Sequence, residues 1–212
     1  MARFDLTIPY GPATPPFPGD SPISFTRVEA ARPWHVTITT AGSHIGTHMD
    51  APLHRLPDGR TIDTFGPDRW FGEAVIIPVP SAQEDTPIPA SVLDAIPVHL
   101  LRGRFALLRT GWDSRIDGPA YFRNPWPSEE LAHALIDAGT TLLGLDAPNV
   151  DSSVAGSDVI HRILFGAEML LVENLCGLDR LPAGMPIGAC FAPIPYVGGD
   201  GAPVRAIAWD LA

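Results

Sequence analysis

Cysteine is scarce in this sequence, which has only Cys176 and Cys190 among its 212 residues. Two cysteines are too few for a disulfide-stapled secreted scaffold, and their spacing is not that of a C-x-x-C pair. We therefore expect both residues to be reduced, buried thiols.

Long apolar runs are also missing. The first residues, MARFDLTIPY, contain no extended apolar segment that would form a secretory leader. No run approaches the ~18 consecutive apolar residues of a membrane-spanning helix. These absences favour a cytoplasmic protein that does not enter a membrane.

Positive charge is in deficit, because 14 Lys and Arg residues face 24 Asp and Glu residues and give a formal net charge of −10. Such a surface repels phosphate backbones, and no basic, aromatic-rich stripe offsets the repulsion. Nucleic acid is therefore not an expected partner.

The sequence does contain enough apolar material for a core. Hydrophobic residues make up 45% of the chain, and its 24 prolines and 20 glycines indicate many turns and short strands. No internal repeat and no break in composition marks a linker. We expect one domain over residues 1–212.

Eight short segments have the β-branched, partly alternating composition of strands. The first two, residues 23–28 and 34–40, are joined by a stretch that includes Arg32 and Pro33, and we expect them to pair as neighbours. The other six are EAVIIPV, RFALLRT, TTLLGLD, EMLLVENL, IGACFAPI and VRAIAWDL. The proline-rich GPATPPFPGDSPISF near the start is predicted to be mainly a surface loop.

Helix patterns are fewer than strand patterns. The clearest is SEELAHALIDAG, in which Ser128 can cap the helix, two glutamates occupy the first turn and the final glycine ends it. Shorter helices are predicted at 91–96 and at 157–165, the second with Ser157 as cap and Gly166 as stop. The balance predicts a sheet-rich α/β fold.

The segment HIGTHMDAPLH, residues 44–54, concentrates three of the seven histidines and one aspartate. Gly46 and Pro52 disfavour a helix, and the preceding VTIT favours extended chain. Even-numbered residues of an extended chain share one face, with Gly46 leaving space between the first two polar groups. The groups on that face are His44, His48, Asp50 and His54. Such side chains are the usual ligands of zinc, manganese or iron.

Two other interpretations explain this cluster less well. A solvated strand end would account for any one of the histidines, but four such groups on one face would be costly to bury without a ligand. A structural zinc site usually has four ligands that include cysteines, and the segment has no cysteine.

The segment has the pattern H-x-G-T-H-x-D-x-P-x-H, which resembles the signature of the metal-dependent cyclase-like hydrolase family, of the bacterial kynurenine formamidase and isatin hydrolase type. The resemblance continues through PPFPGDSP, LLRTGW at 107–112, GLDAPNVD at 144–151, the pair His161 and Glu173, and APVRAI. It spans nearly the whole chain. It implies an α/β fold with a single sheet-rich domain of the swivelling β/β/α type and few short helices.

The family's metal ligands can be carried over by position. The resemblance implies that His44, His48 and Asp50 bind one divalent ion. It also implies that Asp50 reaches a second ion held by His161 and by Glu173, which would bridge both. The cofactor would be zinc or manganese, with one or two ions per chain. Relatives form homodimers or homotetramers, so the same is expected here.

The residues themselves support the second ion less strongly. His161 lies on a predicted helix with apolar neighbours, where a single histidine is more often packed or capping than a ligand. Glu173 is more informative, because a carboxylate in an apolar strand must be exposed, paired or coordinated. Glu168 is a local competitor, but its place at the start of the strand predicts a solvated side chain.

The implied activity is hydrolysis of a small aromatic amide by metal-activated water, with the last histidine of the motif, His54, as acid/base. Arylformamidase activity on N-formyl-L-kynurenine, which gives L-kynurenine and formate in tryptophan catabolism, is the first expectation. Hydrolysis of isatin or another cyclic amide or lactone is the alternative within the family. A noncatalytic metal-containing binding protein is the alternative from another class.

The substrate is less closely defined than the chemistry. The family's formamidases have a tryptophan in the x-P-G-D stretch that lines the aromatic substrate, and this chain has Phe17 there. Phe17 fits a substrate-stacking wall and a local hydrophobic plug between prolines equally well. Three other residues within the resemblance are expected to be structural or to support the site indirectly: Arg109, Trp112 and Asp146.

Overall fold

Twelve strands and two α-helices make up the regular structure of residues 2–29 and 33–211, the part of the chain that the computed structural model describes. The strands are β1 (Arg3–Asp5), β2 (Ser24–Arg27), β3 (Thr37–Thr40), β4 (His48–Asp50), β5 (Phe71–Pro78), β6 (Pro87–Ile88), β7 (Phe105–Arg109), β8 (Trp126–Pro127), β9 (Leu142–Leu145), β10 (Leu170–Glu173), β11 (Pro186–Pro193) and β12 (Gly201–Trp209). The helices are α1 (Glu129–Asp137) and α2 (Val159–Gly166). The sheet-rich α/β class with few helices is as predicted.

All eight predicted strands are present, as β2, β3, β5, β7 and β9–β12, and β2 pairs with β3 as expected. Arg32, in the predicted connection between these two, lies outside the described residues. Three strands were not predicted, β1, β6 and β8, and β4 lies in a segment predicted only as extended chain. Each of the four has only two or three residues, too few for a periodic pattern, and β6 and β8 contain proline, which normally argues against a strand.

The helix predictions were correct in two of three cases. In α1 the Ser128 hydroxyl accepts a hydrogen bond from the Leu131 N–H at 3.2 Å, as the capping pattern predicted. The α2 helix begins after Asp158 instead of Ser157, and Gly166 is its last residue instead of its stop. The 91–96 prediction was wrong: a 3₁₀ helix spans Ala90–Leu93 instead, because the prolines that flank this segment leave room for barely two turns. No helix of the described residues is long and apolar enough to cross a membrane.

The main sheet closes on itself through a three-residue strand. Its order is β1-β12-β11-β5-β7-β9-β10-β4, and β4 also pairs with β12, so that seven strands form a ring and β1 extends it at one end. β5, β7, β9 and β10 run parallel, whereas β4 is antiparallel to both its neighbours. The result is a barrel-like sheet.

Both faces of the parallel strands are buried. Val75 and Ile77 of β5 join a cluster that includes the apolar residues of α1 and α2, whereas Ala74 and Ile76 join a second cluster with alternate residues of the other strands. Burial on both faces explains why the sequences of these strands are nearly continuous apolar runs. Glu173 ends one of these runs on β10, where it is 5% exposed.

The two cysteines are free thiols, as predicted, but neither is buried. Cys176 follows β10 and Cys190 lies on β11, and both are partly exposed. The prediction of burial was therefore wrong. It rested on the general tendency of reduced cysteines to be buried, which does not say where in the fold each cysteine lies.

Three residues whose role the sequence left open support the fold. The Asp146 carboxylate accepts hydrogen bonds from the Thr110 N–H at 2.9 Å, the Thr110 hydroxyl at 2.5 Å and the Gly111 N–H at 2.8 Å. The Trp112 indole donates to the Tyr121 carbonyl at 2.8 Å. Arg109 donates to a backbone carbonyl 3.3 Å away. Asp146 thus fixes the turn that follows β7.

Replacing Asp146 by alanine is expected to lower the free energy of unfolding by about 1–3 kcal/mol, because three donors of a partly exposed turn lose their buried acceptor. Urea unfolding measures the change. The matched control is Asp137→Ala at an exposed position on α1, where a change within about 0.5 kcal/mol is expected. A similar small change for Asp146→Ala would contradict the structural role.

Candidate metal centre

A cavity of about 330 Å³ collects every site residue that the sequence predicted. It lies between the N-terminal loop, the 44–54 segment and α2. The predicted residues that line it are Phe17, His44, His48, Asp50, His54, His161 and Glu173. Residues far apart in the sequence therefore converge on one surface.

The 44–54 segment brings its polar side chains together through three backbone conformations instead of one extended strand. A bend over residues 44–47 is followed by β4 and then by a 3₁₀ helix at Pro52–His54. The predicted extended chain is therefore wrong outside β4, although the side chains do converge. Gly46 is needed for the bend and not as a spacer: its φ is 72°, and a Cβ there would lie 3.1 Å from the Tyr10 ring.

His44 lies between two carboxylates. Its Nδ1 is 2.7 Å from Asp50 Oδ1, and its Nε2 is 2.9 Å from Asp200 Oδ2. Gly201, next to Asp200, leaves room for the ring, because a Cβ there would lie 2.6 Å from His44 Cε1. The outer nitrogen is therefore held by Asp200 and the inner one faces the centre.

His48 is positioned by β4. Its Nδ1 donates to the Gly46 carbonyl at 2.8 Å, which leaves Nε2 facing Asp50 Oδ1 at 3.1 Å and Glu173 Oε2 at 3.6 Å. The pairing of β4 with β10 places Glu173 directly opposite His48. The Glu173 carboxylate is itself fixed by the Val150 N–H, which donates to Oε1 at 2.8 Å.

His161 faces the centre from α2. Its Nδ1 lies 2.7 Å from Asp151 Oδ2, and Asp151 also accepts the backbone N–H groups of Ile160 and His161 at 3.0 Å. Its Nε2 lies 3.6 Å from Asp50 Oδ2 and 3.8 Å from Glu173 Oε1, too far for a hydrogen bond to either. Asp50 Oδ2 and His161 Nε2 are both buried without a hydrogen-bond partner in the described chain.

These side chains form two possible ligand groups that share Asp50. One is His44, His48 and Asp50, and the other is Asp50, His161 and Glu173; within each, the candidate ligand atoms lie within 4.8 Å of one another. Imidazole and carboxylate ligands suit zinc and manganese, and the two unpartnered buried atoms face the same space. The outer nitrogens of all three histidines are held, as metal-binding histidines usually are. The donor set therefore fits divalent metal.

The pKa values of the histidines and carboxylates in this cluster depend strongly on one another. Burial and the neighbouring Asp50 carboxylate together raise the pKa of Glu173 to about 7. Burial opposes ionisation of Asp50, but the histidines around it outweigh burial and hold the pKa of Asp50 well below its ordinary value. Burial also opposes protonation of His161, yet Asp151 and Asp50 raise the pKa of His161 to about 9. The buried carboxylates thus depend on nearby positive charge.

His54 differs from the other three, because its ring makes no hydrogen bond within the described residues. Its Nδ1 is 3.7 Å from Asp200 Oδ2, and its ring lies against that of His44 with centroids 3.8 Å apart. Burial, with His44 and His161 nearby, lowers the pKa of His54 to about 4 against the opposing effect of Asp50. At neutral pH the ring is therefore uncharged.

The sequence prediction missed two carboxylates, Asp151 and Asp200. Asp151 ends the GLDAPNVD stretch, so the resemblance did mark its neighbourhood without giving it a role. Asp200 lies in a GGDG turn that has no recognisable pattern, and only the pairing of β12 with β4 brings it beside His44. Asp200, His44 and His54 also offer ligand atoms within 4.8 Å of one another.

An apolar wall faces the polar cluster across the cavity. The Phe17 ring meets the Phe122 ring edge to face, with centroids 5.5 Å apart and an interplanar angle of 83°. Pro15 and Pro148 extend the wall. The cavity therefore combines a flat apolar side with a cluster of histidines and carboxylates.

Comparison with known proteins gives a family and a fold. The profile of the family described as Cyclase matches residues 4–152. Isatin hydrolase A from Ralstonia solanacearum is 25% identical with a TM-score of 0.85, and the match covers 99% of this chain and 92% of that chain. A predicted metal-dependent hydrolase from Bacillus stearothermophilus is 24% identical with a TM-score of 0.82, covering 99% and 98%. An isatin hydrolase bound to the product analogue thioisatinate is 23% identical with a TM-score of 0.83, covering 97% and 91%.

Adding Zn²⁺ or Mn²⁺ to chelator-treated protein is expected to raise its melting temperature. An ion at about 100 times its Kd adds about 2.7 kcal/mol, or roughly 5–10 °C for a chain of this size. Thermal unfolding followed by circular dichroism measures the shift.

Asp50→Asn should abolish this shift, because Asp50 belongs to both ligand groups. The control His133→Ala, at an exposed position of α1, should keep it. An unchanged melting temperature of the wild type at saturating ion would rule out a metal site in this cavity.

Proposed function

Because the chain belongs to the Cyclase family, we propose that it is a metal-dependent hydrolase that cleaves the C–N bond of a small aromatic amide. The observation that carries the proposal is the pair of ligand groups sharing Asp50 beside an apolar wall. One group alone would fit a structural ion, but a wide cavity next to it leaves space for a reacting molecule. The cofactor is zinc or manganese.

The ligand residues have separate tasks in this proposal. His44, His48 and Asp50 would hold one ion, and Asp50, His161 and Glu173 would hold a second where two bind. When bound, such ions supply Lewis-acid chemistry that polarises a carbonyl and lowers the pKa of water toward neutrality. Asp151 and Asp200 keep the imidazoles oriented through their outer nitrogens.

His54 moves the proton. Its ring lines the cavity, packs against the His44 ring and makes no hydrogen bond to the described residues. An uncharged imidazole can take a proton from the attacking water and return it to the departing nitrogen. Asp200, 3.7 Å from Nδ1, lies on the side where it can stabilise the ring once protonated.

The apolar wall points to a flat, aromatic substrate. Phe17, braced edge to face by Phe122, offers a ring on which such a molecule can stack. N-formyl-L-kynurenine is the preferred substrate, because the ligand and acid/base roles carried over to this chain are those of the formamidases within the family. Isatin is the second candidate, favoured by the similarity along almost the full chain to isatin hydrolase A of Ralstonia solanacearum.

Metal-loaded protein is expected to convert N-formyl-L-kynurenine to L-kynurenine and formate, and to open isatin more slowly. Chromatography of the products measures both rates. Faster opening of isatin would reverse the order of the two candidates. No turnover of either, with metal bound, would favour a noncatalytic metal-binding protein.

His54→Ala is expected to lower kcat about 100- to 10,000-fold, because the proton then has no acceptor in place. Elemental analysis should show unchanged metal content, since His54 is not among the proposed ligands. His133→Ala serves as the matched control and should leave both quantities unchanged. Undiminished turnover by metal-loaded His54→Ala would refute the acid/base role.

A further inference from the structure

Asn174 is a strained and buried residue next to Glu173. Its φ is 57°, a left-handed value, and it is only 7% exposed. Its N–H donates to the Ala147 carbonyl at 3.0 Å, its carbonyl accepts from the Thr47 hydroxyl at 2.6 Å, and its Oδ1 accepts from the Tyr121 hydroxyl at 2.5 Å. Of its polar groups, only Nδ2 lacks a partner in the described structure. Strained residues held this firmly are typical of functional sites.

Asn149, on another loop, also has a side-chain oxygen that is hydrogen-bonded and a side-chain nitrogen that is not. Its Oδ1 accepts a hydrogen bond from the Asp151 N–H at 2.8 Å, and its backbone carbonyl accepts from Asn124 Nδ2, also at 2.8 Å. A backbone N–H can only donate, so the orientation of this side-chain amide is fixed. Its Nδ2 has no partner among residues 2–29 and 33–211, and Asn149, like Asn174, lines the cavity.

The orientation of the Asn174 amide follows from its surroundings. A tyrosine hydroxyl can donate or accept, so Tyr121 alone does not decide which end of the amide faces the cavity. The Asp50 and Glu173 carboxylates line the same cavity and favour N–H groups over an oxygen beside them. Both asparagines therefore turn donors toward the cavity and keep their oxygens within the protein.

The rest of the lining makes these donors distinctive. The described residues that line the cavity include no lysine or arginine, and besides the two asparagines they are histidines, carboxylates, glycine and apolar side chains. The two neutral amide donors match carbonyl oxygens.

We infer that the side-chain nitrogens of Asn149 and Asn174 bind carbonyl oxygens of the substrate. The inference rests on the proposed function and narrows its substrate class to flat ring systems that carry carbonyl acceptors. N-formyl-L-kynurenine and isatin each have two carbonyl groups on or beside the ring. A compound without them would leave the amides unpaired, and a site built to hydrogen-bond a ligand discriminates against such compounds.

The test compares oxindole with indole, which share two fused rings and an N–H; oxindole has a carbonyl and a saturated C3 where indole has a C2–C3 double bond. Isothermal titration of the metal-loaded protein gives the two affinities, and the change of their ratio between the wild type and a variant isolates the contribution of the donor. The wild type should prefer oxindole. Asn149→Asp and Asn174→Asp each keep the oxygen that the protein uses and lose the donor, so each should lower the ratio about three- to tenfold.

Measurements of melting temperature and metal content distinguish a ligand-binding role of the two asparagines from a structural role. In the metal-loaded state, where the charge of the ion offsets the added carboxylate, both cavity variants should keep the wild-type melting temperature, and their titrations are compared at equal metal content. The matched control is Asn124→Asp, because Asn124 Nδ2 donates to backbone carbonyls of Pro125, Asn149 and Asp151 at 2.8–3.1 Å. This variant loses donors that the fold uses and should melt at a lower temperature.

Each outcome has one meaning. Equal affinity of the wild type for oxindole and indole, or an unchanged ratio in both cavity variants, would overturn the inference. A ratio that falls only together with the melting temperature would make the asparagines structural and would also overturn it. If the affinity ratios are as expected but the protein turns over no amide, the two asparagines remain carbonyl-binding donors and the proposed function is refuted.

Discussion

The structure depends on the pairing of β4 with two strands at once. β4 has only three residues, yet one edge pairs with β10 and the other with β12, and this pairing closes the sheet. The same three residues include His48 and Asp50. Closure of the sheet and assembly of the metal centre are therefore one structural event, and the register that closes the barrel also sets Glu173 opposite His48.

The centre is held by an outer layer of acceptors as much as by its own side chains. Asp200, the Gly46 carbonyl and Asp151 each hold one imidazole nitrogen, so the opposite nitrogen faces inward. Buried carboxylates and imidazoles are unfavourable alone, but together they offset one another. A divalent ion would complete this balance, because it would supply the positive charge that the carboxylates need and would give the two unpaired atoms a partner.

Local composition predicted most of the sheet, because β5, β7, β9 and β10 are buried on both faces and are recognisable as short apolar runs. It predicted extended chain at β4 but not the pairing of these three residues, which depends on partners elsewhere in the chain. The motif correctly indicated that His44, His48, Asp50 and His54 converge, but a bend and a 3₁₀ helix achieve this instead of alternation along a strand. Asp200 could not be predicted, since only tertiary pairing gives its turn a role.

The pairing of β4 also has a consequence for how the chain folds. His48 and Glu173 are separated by more than half the sequence, and Asp50 and Gly201 by still more. Contacts between such distant residues require the closure of long loops, which makes them slow to form and costly in chain entropy. The local motif can fold early, but the complete centre forms only as the barrel closes. Completion of the site is thus a late marker of folding.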